Sequence, residues 1–259
     1  MLRHLWRIAA SLALLALLFC LLNAQDIRPH SPKTTPPTRL AETSGLNTSR
    51  LSSKDLERWK SIERLALAEG SDGQPLHPTL RNLWEWIETS GHTVFVEISR
   101  STRKSTCTAG SFVIERFDPK GDSHIAVVSL NLANIDLAYV GQDTARENGF
   151  IPFEGLSKDE RYVEVLGHEL AHAVYILTSL ERAKKVEDMV EKTNELLLSR
   201  RPYQQGKMNS PELNRMLSRR DALLKDLEKQ AEEMEYVVWR ELVASKSRRE
   251  KLSPSSAKP

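Results

Sequence analysis

The run Gly167-His168-Glu169-Leu170-Ala171-His172-Ala173 sets two imidazoles four residues apart, with a carboxylate directly after the first. On an α-helix these histidines project from one face about one turn apart, so two neutral ring nitrogens can ligate one Zn2+ at roughly 2.0 to 2.1 Å. Glu169 is turned about 100° from His168. That offset suits a carboxylate that takes a proton from a metal-bound water rather than one that binds the metal. The helix is predicted independently of the motif. Ser157-Lys158-Asp159-Glu160 is a capping box, and Val163, Leu166, Leu170, Val174 and Leu177 then recur at spacings of three and four. The apolar stripe lies beside the histidines.

His168-Glu169-Leu170-Ala171-His172 resembles the active-site helix of the zincin metallopeptidases, over about two turns of helix. The resemblance implies a Zn2+ cofactor, a peptide or protein substrate, and hydrolysis with Glu169 as general base. Catalytic zinc takes three protein ligands and leaves one position for water. No histidine follows His172, and Ala173 to Leu180 contains neither histidine nor glycine, so the metzincin continuation is absent. What remains resembles the gluzincin branch, in which a glutamate on a later helix completes the site.

That later helix offers Glu228, Glu232, Glu233 and Glu235. Measured from the centre of its apolar stripe, Glu235 projects at about 50°, Glu228 at about 70° and Glu232 at about 110°, with Glu233 roughly opposite. Glu235 is therefore the expected third metal ligand, an inward carboxylate flanked by Ala231, Val238 and Trp239. Glu228-Lys229-Gln230-Ala231 argues for Glu228 instead, because it resembles the Glu-x-x-Ala pattern of many gluzincins. Glu232 is the third option, and one glutamate can ligate while another orients a histidine. His92 and His124 read as strand residues rather than ligands, and Tyr236 as a packing tyrosine.

The elements that must position this chemistry make an α+β chain, expected to be zincin-like. Ser52-Ser53-Lys54-Asp55 starts a helix through Leu56, Trp59, Ile62, Leu65 and Leu67, ended by Gly70. Pro78, Leu80, Leu83, Trp84 and Ile87 mark a second. Trp59, Trp84 and Trp86 read as packing surface. Three strands follow at His92 to Ile98, Gly110 to Arg116 and His124 to Leu132. Asp118-Pro119-Lys120-Gly121-Asp122 turns the last two into a hairpin. In the zincin arrangement an edge strand of such a small sheet lies along the cleft and holds an extended peptide. Val140 to Pro152 reads as a connecting loop. After the metal helix, Glu181 to Arg200 is a charged helix. A final helix runs from Ser210-Pro211-Glu212 to about Ala244, with Leu224, Leu227, Ala231, Met234, Val238 and Leu242 as its stripe. Together they form an antiparallel helical arm over 181–227 inside a domain spanning 51–244.

The ends read differently. Residues 1–24 carry Arg3, His4 and Arg7 before an apolar run from Ile8 to Leu22, the pattern of an export signal with cleavage after Ala24. An uncleaved membrane tether through residues 8–22 is the rival reading, and the chain is expected to be exported in either case. Cleavage would leave Cys107 as the sole thiol, which excludes an intramolecular disulfide. Residues 25–50, with Pro29, Pro32, Pro36 and Pro37, read as a disordered linker, and 245–259 as a disordered basic tail. Lys+Arg 37 against Asp+Glu 35 gives a net charge of +2, which Arg3 and Arg7 account for. Nothing in that balance calls for a nucleic-acid partner. The competing functional class is an exported or membrane-tethered helical interaction protein on the same scaffold, with a non-catalytic metal.

Overall fold

A computed structural model describes residues 45–100, 109–140, 155–199 and 211–252. The expected signal segment, both cysteines and most of the Val140 to Pro152 loop lie outside these residues. Two helices, α1 (Ser53–Ala66) and α2 (Pro78–Thr89), follow a short first strand. Ser52 caps α1 by accepting from the backbone N–H of Asp55, and Pro78 opens α2 where its missing N–H costs nothing. Their buried faces meet through Trp59 and Trp84, whose rings stack with centroids 5.6 Å apart.

The sheet is four-stranded and mixed: β1 (Gly45–Asn47), β2 (Thr93–Ser99), β3 (Gly110–Arg116) and β4 (Ile125–Asn131), in the order β1-β2-β4-β3. β1, β2 and β4 run parallel, and β3 is antiparallel to β4 as the expected hairpin. The Asp118 carboxylate builds the turn by accepting from the backbone N–H groups of Lys120, Asp122 and Ser123. β4 takes the centre because it is apolar on both faces, a pattern tolerated only in a strand covered on both sides. The hairpin therefore leaves β3 at the edge.

The first helix ends at Ala66, with Leu67 as its C-cap, rather than running on through Leu67 to Gly70, and three further boundaries depart from the sequence reading. Residues 45–47, expected within the linker, form β1, with Gly45 N–H donating to the carbonyl of His92 at 2.9 Å. Three residues are too few to show an alternating pattern. The third strand stops at Asn131, and a helix, α3 (Leu132–Val140), begins immediately. A largely apolar run does not mark where a strand becomes a helix.

The third departure is at the other end. The histidine-bearing helix α4 (Lys158–Leu177) and the arm helix α5 (Leu180–Ser199) fall as expected, but the last helix, α6, spans Pro211–Leu252 and absorbs the start of the supposed tail. Ser245 is buried there, and Lys246 donates to the carbonyl of Gly155 at 2.9 Å. No glycine or proline interrupts the chain before Pro254, so nothing stops the helix earlier.

The core lies between the sheet's inner face (Val94, Val96, Ala126, Val128, Leu130) and α4, which brings Val163, Leu166, Leu170 and Ala173. α6 packs on the opposite side of α4 through Leu227, Ala231, Val238 and Leu242, the predicted stripe. The two helices run antiparallel and lie close at Gly167, where an added Cβ would lie 3.1 Å from Val238 Cγ2. Thr79 at the start of α2 donates from its N–H and hydroxyl to the Glu241 carboxylate, which anchors α6 on a helix N-terminus.

Candidate metal centre

The capping box on Ser157 and Glu160 forms in full, so α4 begins where the sequence places it. From that start the helix presents His168 and His172 on the side facing α6. Their Nε2 atoms are 3.1 Å apart, with the rings nearly perpendicular at 79°. Two donors sharing a tetrahedral Zn2+ at about 2.05 Å would be about 3.3 Å apart. One carboxylate faces the same point. Glu228 Oε2 is 3.5 Å from His168 Nε2, and Glu228 Oε1 is 3.7 Å from His172 Nε2. Among the described residues, His168, His172 and Glu228 are the group whose ligand atoms could hold one metal ion.

Glu235, the expected ligand, stands elsewhere. Its Oε2 lies 3.0 Å from Nδ1 of His168, on the opposite side of the ring from Nε2. As a carboxylate it accepts from Nδ1–H, which makes Nε2 the nitrogen that could bind a metal once its proton is displaced. The correction has a geometric cause. Helix angles rank how far a side chain turns inward, and Glu235 does turn in further, at 17% side-chain exposure against 46% for Glu228. Because α6 descends antiparallel to α4, the more inward residue passes behind His168, while Glu228, two turns earlier, arrives beside both Nε2 atoms. Glu232 is exposed and stands apart from the group, although the charges of Glu228 and Glu235 help to raise its pKa beyond the effect of burial.

Electrostatics divide the two imidazoles. Burial disfavours a charge on His168, but its bonds to Glu228 and Glu235 and the field of Glu169 outweigh that, and its pKa rises to about 11. Burial and the neighbouring His168 charge push His172 down to about 4. Without a metal the pair thus carries one positive charge, held among carboxylates. A divalent cation bound by the same atoms would replace it. Glu228 stays below the ordinary carboxylate range, because its bond to His168 and the fields of the two imidazoles overcome its burial.

Glu169 is buried between α4 and the start of β3, at 5% exposure. Burial raises its pKa to about 8, opposed by His168 and reinforced by Glu228 and Glu235. One turn before His168, Glu164 is fully buried and paired with Arg161. Its pKa also rises to about 8, through burial first, with Arg161 opposing and Glu235 adding to the rise. Sequence reasoning passed over this pair. The available signal was the spacing Arg161, Glu164, His168, which puts three polar side chains on one inward helix face.

His92 and His124 lie apart from the centre, as expected, buried and stacked with centroids 4.9 Å apart. Their Nδ1 atoms accept the backbone N–H groups of His124 and Asp118, respectively. Tyr236 is exposed and rests against Trp239 at 5.5 Å.

Comparison of the chain with protein-family models, with curated proteins and with solved structures returns no match. The α+β fold sets a helix carrying two histidines and a glutamate between a small mixed sheet and a second helix that brings two more glutamates.

Proposed function

We propose that the protein is a zinc-dependent metallopeptidase of the zincin type. The observation that carries the reading is the convergence of His168 Nε2, His172 Nε2 and the Glu228 carboxylate at spacings of 3.1 to 3.7 Å, next to the buried carboxylate of Glu169. In this reading His168, His172 and Glu228 hold the ion, and Glu235 fixes the His168 tautomer from behind. A zinc ion bound there would supply Lewis acidity and a water of lowered pKa. Glu169 then takes a proton from the attacking water and delivers it to the leaving amide nitrogen, so the base of the first step is the acid of the second. Its raised pKa in the metal-free chain fits a carboxylate poised to hold that proton.

The outer edge of β3 has no strand partner among the described residues and runs beside Glu169. It offers an extended peptide the main-chain hydrogen bonds of strand addition. Export through residues 1–24, with or without retention by residues 8–22, belongs to the same proposal.

The test is elemental mass spectrometry together with hydrolysis of casein and of a mixed quenched-fluorescent peptide library, on protein beginning at residue 25. The expected parent binds near-stoichiometric zinc and cleaves. Glu169→Gln keeps the zinc and the fold but loses at least about 10²-fold in kcat, the contribution of a general base. A folded parent that takes up no zinc on reconstitution refutes the proposal. Zinc without hydrolysis transfers the weight to the interaction-protein reading.

A further inference from the structure

Gly110 is the first residue of β3, paired with Leu130 of β4. A Cβ built on it would lie 2.5 Å from Glu169 Oε1, 2.7 Å from Cγ and 2.9 Å from Cδ. The Glu169 side chain therefore fills the volume that any other residue at position 110 would need. The glycine is not there for its backbone, since it is absent from the described glycines with positive φ. Close approach is the remaining physical reason for a residue without Cβ.

Neither wall of this contact can retreat cheaply. On the helix side, Leu166, Leu170 and Ala173 are fully buried on α4, so the helix cannot roll away without unpacking the core. On the strand side, Asn131 N–H donates to the carbonyl of Ala109 at 2.8 Å, and Leu130 behind Gly110 is also fully buried. The one soft element is the set of χ angles of Glu169 itself.

From this geometry we propose that Gly110 is a positioning residue, whose missing side chain forms the slot that holds the Glu169 carboxylate in its working rotamer. The inference rests on the metallopeptidase reading for its consequence, although not for the contact. Adding a methyl group at position 110 drives Glu169 into another rotamer and takes the base away from the attacking water, while His168, His172 and Glu228 keep their places. The edge strand thereby both borders the cleft and sets the position of the base.

The experiment compares Gly110→Ala in three backgrounds. In the parent, with the mixed quenched-fluorescent peptide library as substrate, kcat should fall by about 10²- to 10³-fold, with zinc content and KM within about twofold of the parent. In Glu169→Asp, whose shorter arm withdraws from the slot, the same substitution should change the residual kcat by less than about threefold, the non-additivity that residues in contact show. In Glu169→Ala, where the slot is empty, it should move the melting temperature by less than about 1 °C. Against the full-length glutamate it should cost several degrees, as overpacking does.

An equal loss of kcat in the parent and Glu169→Asp backgrounds overturns the proposal, as does an unchanged kcat in Gly110→Ala. Should Gly110→Ala fail to fold, folding of the Gly110→Ala/Glu169→Ala pair upholds the contact, and failure of that pair refutes it. If the parent binds zinc without hydrolysing peptides, the metallopeptidase reading falls. The melting-temperature cycle still decides the contact, and equal shifts in both backgrounds would sink it.

Discussion

Removing Glu228 and Glu235 one at a time should separate a metal ligand from the partner that orients one. Each Glu228 oxygen faces one Nε2, at 3.5 and 3.7 Å, whereas Glu235 meets His168 only through Nδ1, at 3.0 Å. Four-ligand zinc sites bind with about 10–16 kcal/mol in all, or about 2.5–4 kcal/mol per ligand. At about 1.4 kcal/mol per tenfold, Glu228→Ala should weaken zinc binding by roughly 10²- to 10³-fold. Glu235→Ala removes only a hydrogen bond to a ligand, which costs about 10- to 100-fold. Those ranges touch, so the amide variants carry the discrimination. Glu235→Gln retains an oxygen that accepts from Nδ1–H and should lose no more than a few-fold, as befits the modest net worth of one hydrogen bond. Glu228→Gln loses the anion and should bind almost as poorly as Glu228→Ala. The assay is competition against a chromophoric chelator at fixed pH and salt, with thermal melts to show that all four variants fold. Parent-like affinity in Glu228→Gln, or a larger loss in both Glu235 variants than in both Glu228 variants, would refute the assignment.

The proton on His168 makes a further test. Its folded pKa, about 11, lies above the ordinary 6.5, so in the metal-free protein its stabilising contribution is complete below pH 6.5 and is lost as pH rises through about 11. Zinc must displace that proton, so calorimetry at pH 7 in two buffers of different ionisation enthalpy should report at least about one proton released per zinc; none released contradicts the arrangement. The buried His92–His124 stack behaves oppositely. Burial lowers both pKa values below 6.5, so their stabilising contribution is present above pH 6.5 and is lost as pH falls toward the folded values. The melting temperature should drop on acidification below that point. It should drop less in His124→Asn, whose side-chain oxygen can still accept from Asp118 N–H; identical acid profiles would exclude the stack as a cause. Finally, Gly167→Ala would set a Cβ 3.1 Å from Val238 Cγ2 and push α6 off α4, costing about 1–3 kcal/mol in a chemical-denaturation measurement. Val238→Ala added to it should recover part of that loss, and a purely additive pair would mean that the two residues do not share the contact.

The parts legible before any coordinates were those whose physics is local. His168 and His172 share a face because of helix pitch, and the helix start follows from Ser157 and Glu160 a few residues away. The hairpin of β3 and β4 could be read because Asp118 and Gly121 are turn residues between two apolar runs. β1 and α3 escaped notice, one too short for a period to show and the other hidden in an apolar run that continues from strand into helix.

The sequence by itself determined that His168 and His172 stand on one face of a helix with Glu169 beside them, and its resemblance to the gluzincins pointed to a carboxylate of the last helix. Tertiary structure decided which carboxylate comes to face the two imidazoles. Angular position around α6 favours Glu235, but ligation depends on height along the crossing with α4, and that height is set where Gly167 meets Val238. The same holds for Gly110, which is an ordinary strand residue until the packing of β3 against α4 brings it to Glu169. A helical period encodes direction about one axis, whereas a site shared by two helices and a strand depends on how those elements cross, which no single segment specifies.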